Sequence, residues 1–201
     1  DNYRSQGRGG KGVTGMTTKE EDFVEHLFVA SAHTYILFFT NRGKCRWLKV
    51  WEIPEGGRTA RGKAMVNLLE LDGGEKIAAF LPVKEFDDKR YVMMGTRRGF
   101  VKKTLLSAYG RPRRNGIVAI KIREGDELIE AKITDGSNDV MIASSHGQAV
   151  RFHEGDVRET GRGTQGVRGI NLMEGDVAVS MVPVRRDSDL VVVTENGYGK
   201  R

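Results

Sequence analysis

The chain is poor in the residues that build covalent frames and metal centres. Cys45 is its single cysteine in 201 residues, which excludes a disulfide within the chain and a thiolate cluster and fits a reducing, cytoplasmic compartment. Prolines number only 4. No apolar run nears the roughly 18–20 residues that a membrane-spanning helix needs, and no basic-then-apolar leader opens the chain. A soluble protein with no membrane partner is expected. The 4 histidines, His26, His33, His146 and His153, share no ligand spacing and read as packed or solvated side chains rather than metal ligands. No Ser/His/Asp order, Walker loop or zinc motif is present. Cys45, beside Trp47 on a presumed core face, reads as a small packed hydrophobe and not as a nucleophile. No catalytic residue is assigned, and no metal or cofactor is expected in this segment.

What the chain does have is a repeat. ILFFTNRGKCRW, VMMGTRRGFVKK, VMIASSHGQAVRF and LVVVTENGYGKR each run a short apolar stretch into a polar pair, a glycine and then Lys or Arg. The glycines are Gly43, Gly99, Gly147 and Gly197, and they recur about every fifty residues, the period of propeller and solenoid units. A second landmark keeps the same beat: LELDGGEKIAAFLPV, IREGDELIEAKIT and LMEGDVAVSMVPV centre on Gly74, Gly125 and Gly175. The turn glycine supplies the positive φ of a tight hairpin. Strands are predicted over 35–40, 91–94, 140–143 and 190–194, each followed by a returning strand, a Gly/Arg-rich loop, a third strand such as 117–122 and a fourth such as 127–133. Four short strands per unit make one propeller blade. Residues 19–29 (KEEDFVEHLFV) could form two helical turns with Thr18 as N-cap, but they fall where the repeat places strands and are read as strand with a polar turn.

The expected fold is all-β: a propeller-like partial wheel of four-stranded blades forming one domain, 1–201. The chain starts and stops inside a unit and is expected to be a piece of a longer array. Residues 1–34 read as part of a blade, 35–83, 84–134 and 135–184 as blades, and 185–201 as the start of another.

Charge follows the repeat. The net charge is +6, and its distribution says more than its size. Between Arg97 and Arg123 lie 9 Lys/Arg and no acid, whereas Glu124 to Asp139 carries 6 acids and one Lys. Such segregation points to a basic surface for a polyanion, with phosphate as the target. Two sets of candidates carry it. The Gly/Arg loops are Gln6–Gly12 (with Arg8, Gly9, Gly10 and Lys11), 57–62 (with Arg58 and Arg61, followed by Lys63), 111–116 (with Arg111, Arg113 and Arg114) and 161–166 (with Arg162, followed by Arg168). Glycine lets a backbone approach a phosphate, and free amides add donors to the cations. The second set lies at the hairpins: Arg42, Lys44 and Arg46; Arg97, Arg98, Lys102 and Lys103; Arg151; Lys200 and Arg201. Because strand side chains alternate, Lys44 and Arg46 are expected on one face and Cys45 and Trp47 on the other. Ordinary solvated strands would mix Glu with Lys; the third and fourth positions after each turn glycine hold no acid, which favours a one-signed rim. Two loops formally match G-x-G-x-x-G, Gly7/Gly9/Gly12 and Gly161/Gly163/Gly166, but strands and not helices follow them, which excludes a dinucleotide fingerprint. Asp126 and Asp176 read as turn formers.

Gln6–Gly12, Thr18 to Val24, Arg46 to Val50, Ala60 to Lys63, Gly125 to Ile129, Asp135 to Ser137 and Asn196 to Arg201 closely resemble the C-terminal domains of DNA gyrase A proteins. The similarity covers essentially the whole chain. It implies a six-bladed β-pinwheel whose blades exchange a strand and whose basic outer rim wraps double-stranded DNA, presenting a crossing segment so that the enzyme introduces negative supercoils. The family heptapeptide is Gln-Arg-Arg-Gly-Gly-Lys-Gly; here Gly7 replaces its first Arg. The implied partners are the rest of the gyrase A protein and the gyrase B protein, in the cytoplasm at the nucleoid. DNA cleavage, ATP and Mg would belong to other domains, so Tyr3, Tyr35, Tyr91, Tyr109 and Tyr198 take no catalytic role.

The residues themselves offer no base-edge reader, so binding is expected to be largely sequence-independent. Rivals are the corresponding domain of topoisomerase IV, which typically lacks the intact heptapeptide, a protein-interaction propeller, and an enzyme using the channel with His146 and His153. The chain carries no Trp-Asp dipeptide of the kind found in interaction propellers.

Overall fold

The computed structural model describes residues 6–12, 26–57, 60, 62–184, 187 and 189–201. The apolar runs become hairpins, and those of the first two units are covered on both faces of the sheet. β1 (Tyr35–Thr40) and β2 (Lys44–Lys49) form the first hairpin. After a 3-10 turn and the one-turn α1 (Val66–Leu69), β3 (Ile77–Val83) returns to pair with β1. The second unit holds β4 (Tyr91–Thr96), β5 (Phe100–Leu105), β6 (Ile117–Val118) and β7 (Leu128–Thr134). The third holds β8 (Asp139–Ser144), β9 (Ala149–His153), β10 (Val167–Arg168) and β11 (Ala178–Val184). A last short hairpin, β12 (Val192–Val193) with β13 (Gly199–Lys200), closes the chain.

The sheets do not coincide with the units. Their strand orders are β3-β1-β2-β6, β10-β5-β4-β7 and β11-β8-β9. Four consecutive strands therefore do not make one blade: the third strand of a unit is handed back to the sheet of the unit before it. It is also shorter than the expected 117–122. Ile117 pairs with Cys45 and Val118 with Lys44; one unit later Val167 pairs with Val101 and Arg168 with Phe100. Of the segment 19–29, residues 19–25 lie outside the described residues. His26 and Phe28 belong to no strand and set their rings against Phe80, at 4.8 and 5.0 Å.

The hand-over explains the turn glycines. Gly43 N donates to Thr40 O and closes the turn with φ +78°, as in a hairpin loop ending in a bulge. Gly43 O then accepts from Ala119 N and Ile120 N of the next unit, and Gly99 O accepts from Gly169 N and Ile170 N in the same way. A Cβ on Gly43 would stand 2.3 Å from Ile120 O. Glycine is required there for close approach as much as for its dihedral.

Alternation carries the first and second sheets into two cores each. Leu37, Phe39 and Cys45 of the first sheet meet Val92, Met94, Leu128 and Ala131 of the second. On the other side of β4, Met93 meets Val140, Ile142 and Met181 of the third sheet. A side chain of this size is worth about 1.5–3 kcal/mol when fully buried, so the interfaces between blades are the core of the molecule. Trp47 reinforces the first of them by donating from Nε1 to Tyr109 O at 2.9 Å.

The acids of the second landmark do more than form their own turns. Asp126 Oδ1 accepts from Arg98 N and Glu127 N. Asp176 Oδ1 accepts from Ser145 Oγ, His146 N and Val177 N. Each carboxylate clasps the hairpin turn of its own unit. Burial opposes ionisation of Asp176, but hydrogen bonds from Ser144, Ser145, His146 and Val177 outweigh it and hold the carboxyl down at about 2.

Candidate nucleic-acid interface

The Gly/Arg loops are where the exposed cations gather. Residues 6–12 are all exposed. The loop is closed by its own groups: Gly10 N donates to Gly7 O at 3.0 Å, and Gly12 N donates to Gln6 Oε1 at 2.8 Å. Gly9 and Gly12 have φ of +87° and +71°, and a Cβ on Gly10 would lie 2.5 Å from Gln6 Oε1. The glycines thus permit a tight turn, from which Arg8 and Lys11 extend with no ion pair to any described residue. Gly12, Gly116 and Gly166 share a positive φ and precede the same position of the repeat.

Loop 111–116 repeats the arrangement further along the chain. Arg111, Arg113 and Arg114 are exposed, and Arg114 reaches Glu70 at 3.5 Å. Arg113 and Arg114 also line a cavity of about 400 Å³ together with Arg46, Lys49, Tyr35 and Trp47. Lys63 is exposed, and Arg58 and Arg61 lie outside the described residues. In the loop 161–166, Arg162 is half-buried and its carbonyl is turned inward. Arg168 lies on β10 over the Phe100 ring at 5.0 Å.

The hairpin cations divide, and three of them correct the sequence-based expectation of a solvated rim. Lys102 is 0% exposed and donates to Ala119 O and Arg162 O. Lys103 is 7% exposed; it donates to Glu154 O at 2.6 Å and lies over the Tyr91 ring. Arg46 is 5% exposed and pairs with the buried Glu75 at 3.5 Å, with Asp72 at 3.8 Å. The reason is the strand hand-over. Side chains at the third position, and in the second hairpin also the fourth on the opposite face, would face solvent in an isolated hairpin but are roofed by the next unit, and a buried charge then takes a carbonyl or carboxylate partner.

The exposed remainder is interleaved with acids rather than one-signed. Lys44 pairs with Asp72, Arg97 with Glu127 at 2.8 Å, Arg151 with Asp139 and Arg201 with Asp189. Hydrogen bonding from Lys44 holds Asp72 below the usual carboxylate range, and that from Arg97 does the same for Glu127. Arg42 is exposed beside Asp72, Arg98 bonds the Glu124 carbonyl, and Lys200 is exposed.

Among the cations not singled out from the sequence, two lie against aromatic rings. Arg123 is exposed and stacks on Phe100 at 3.8 Å, near Arg168 on the same ring, and Lys49 sits over Tyr35 and Trp51 at 5.2 and 5.9 Å. Arg123 ends the acid-free run, which was the available signal. Cys45 is buried in the first core, and burial, against the opposing pull of Arg162, pushes its thiol well above the ordinary range. His153 Nδ1 accepts from Gly155 N, and His146 N donates to Asp176; both histidines serve local turns. Among the described residues no cluster of metal-ligating side chains is found.

Comparison with known proteins agrees with this geometry. The family model "DNA gyrase C-terminal domain, beta-propeller" matches residues 1–31, 34–84, 90–135, 138–185 and 188–201. The chain is 48% identical to the DNA gyrase A protein of Salmonella typhimurium over 99% of its length and 49% identical to that of Escherichia coli K12, spanning 23% of each relative. Among solved structures, the C-terminal domain of a DNA topoisomerase IV superposes with a TM-score of 0.77 at 32% identity, covering 84% of this chain and 53% of that one. A DNA gyrase A C-terminal domain superposes with a TM-score of 0.72 at 29% identity, over 98% of this chain and 64% of that one. With its unit-by-unit match and its handed-over strands, the chain belongs to the DNA gyrase C-terminal domain family of β-propellers.

Proposed function

We propose that this chain binds duplex DNA through its Gly/Arg loops and bends it along the outer edge of the propeller. The observation that carries the reading is the recurrence of exposed loops at one position of the repeat, with Arg8, Lys11, Arg111 and Arg113 making no ion pair to a described carboxylate. Phosphate contacts from successive loops offset the cost of bending, which is on the order of 1–6 kcal/mol for 40–90° over a short site, and counterion release supplies the affinity. No base reader is assigned, so recognition follows DNA deformability more than sequence. In the parent enzyme this segment presents DNA to the gyrase core, which together with the gyrase B protein supplies cleavage, ATP and Mg; the segment itself performs no covalent chemistry. The loop Gln6–Gly12, which keeps six of the seven heptapeptide residues, supports the gyrase role over that of topoisomerase IV. A cytoplasmic location at the nucleoid follows from the same role.

A titration of fluorescent duplex with the chain tests this. For about 6–10 phosphate contacts, affinity falls roughly 10³–10⁵-fold between 50 and 200 mM salt. Binding indifferent to salt would remove phosphate recognition as the mechanism. Arg8→Ala with Lys11→Ala is expected to reduce wrapping, read as a change in the linking number of relaxed circles, more than simple binding.

A further inference from the structure

Lys102 is a charged side chain placed where charge is costly. It stands third after Gly99 on β5, fully buried, and its ammonium donates to two main-chain carbonyls. Ala119 O belongs to the segment that continues loop 111–116 past β6 onto the first sheet. Arg162 O belongs to loop 161–166 of the next unit, which runs on into β10 against β5. One nitrogen therefore ties together the basic loops of two consecutive units. The one charged group acting on it is Arg162 from that loop, whose field also reaches Cys45 of β2 and Tyr109 of the 3-10 turn after β5. Burial pushes both Cys45 and Tyr109 up, so both are neutral near pH 7. Lys103 turns to the opposite face, towards Glu154 O and Tyr91. The charge acting on Lys102 is thus that of another cation, Arg162.

We propose that Lys102 is a positioning residue for loops 111–116 and 161–166, and that binding of a duplex at these loops is accompanied by uptake of a proton on its Nζ. The inference rests on the reading of those loops as the DNA interface. Charge-assisted bonds to the two carbonyls are roughly twice as strong as those of the neutral amine, so protonation tightens both loops at once. Burial first, and the Arg162 charge second, bring the lysine down to about 7. A phosphate beside Arg162 offsets that charge and raises the lysine again. Duplex affinity is then full below the pKa of the free protein and declines as pH rises through it towards the bound value. Each unit of upward shift is worth about tenfold in affinity.

The test is a titration of the chain carrying 13C at lysine Cε, followed by NMR from about pH 5.5 to 9 with and without a short duplex; anisotropy of the labelled duplex reports binding separately. Lys102 is expected to titrate near 7 alone and about one unit higher with duplex, with affinity falling about tenfold across the range. Lys102→Arg, permanently charged, is expected to flatten that pH dependence, and His146→Gln with His153→Gln to leave it. A free Lys102 that titrates in the ordinary range near 10, or one whose midpoint is unmoved while anisotropy shows bound duplex, overturns the inference. If Lys102→Arg does not fold, the wild-type titration decides alone. Absence of any duplex binding at low salt defeats the prior reading of the loops, and this one with it.

Discussion

The hairpin β1–β2 and the loop 6–12 are built from the same letters, glycine with Lys and Arg, and end in opposite environments. At the hairpin, the next unit lays Ala119 and Ile120 across Gly43, and Arg46 is roofed and paired with Glu75. At the loop, a Cβ on Gly12 would meet no described atom within 4 Å, and Arg8 and Lys11 remain exposed. The difference teaches that a basic residue in this repeat is a buried structural ion, or is left exposed for the proposed ligand-facing role, according to whether a neighbouring unit covers it.

The largest expected effect is at the covered end. Arg46→Ala leaves Glu75 buried without its ion partner and is expected to cost about 3 kcal/mol or more, read by urea unfolding, while the salt dependence of duplex binding stays as it was. An unchanged stability with a shallower salt slope would move Arg46 to the ligand-facing set. Next comes a matched pair of glycines. Gly147→Ala introduces a side chain at φ +82° with nothing within 4 Å and should cost about 1–2 kcal/mol. Gly43→Ala adds a collision with Ile120 O and should cost about 1 kcal/mol beyond that; equal losses in the two variants would deny that the handed-over strand sets the constraint. At the uncovered end, Arg111→Gln with Arg113→Gln should leave stability within about 0.5 kcal/mol and reduce the salt slope by roughly 2. The smallest effect is acidic. Asp176, held down at about 2, contributes stability that is present above its unfolded pKa of about 3.9 and lost as pH falls through its folded value. Asp176→Asn should flatten the acid limb of unfolding between those values.

Much of the fold was legible. The run Tyr35–Thr40 is the observed β1, and 127–133 falls within one residue of β7 (Leu128–Thr134), because apolar alternation ending in a polar pair and glycine is a local signal. The segment 117–122 misled in length and in allegiance. Ile117–Val118 bonds to a strand about seventy residues upstream, and ladder partners at that distance leave no mark on local periodicity. The exposed loops were legible because runs of glycine and arginine cannot fill a core. Arg46, Lys102 and Lys103 were not, since the pattern that marks a solvated strand face also fits a face covered by another unit.

The order of strands, the beat of the repeat, the turn glycines and the excess of cations in the Gly/Arg loops are properties of the sequence itself, each written within a few neighbouring residues. Which sheet receives each third strand, and hence which lysines and arginines are buried against carbonyls and which are left exposed, was decided by packing between units. Desolvation depends on what covers a side chain, and what covers these cations is a segment from another repeat.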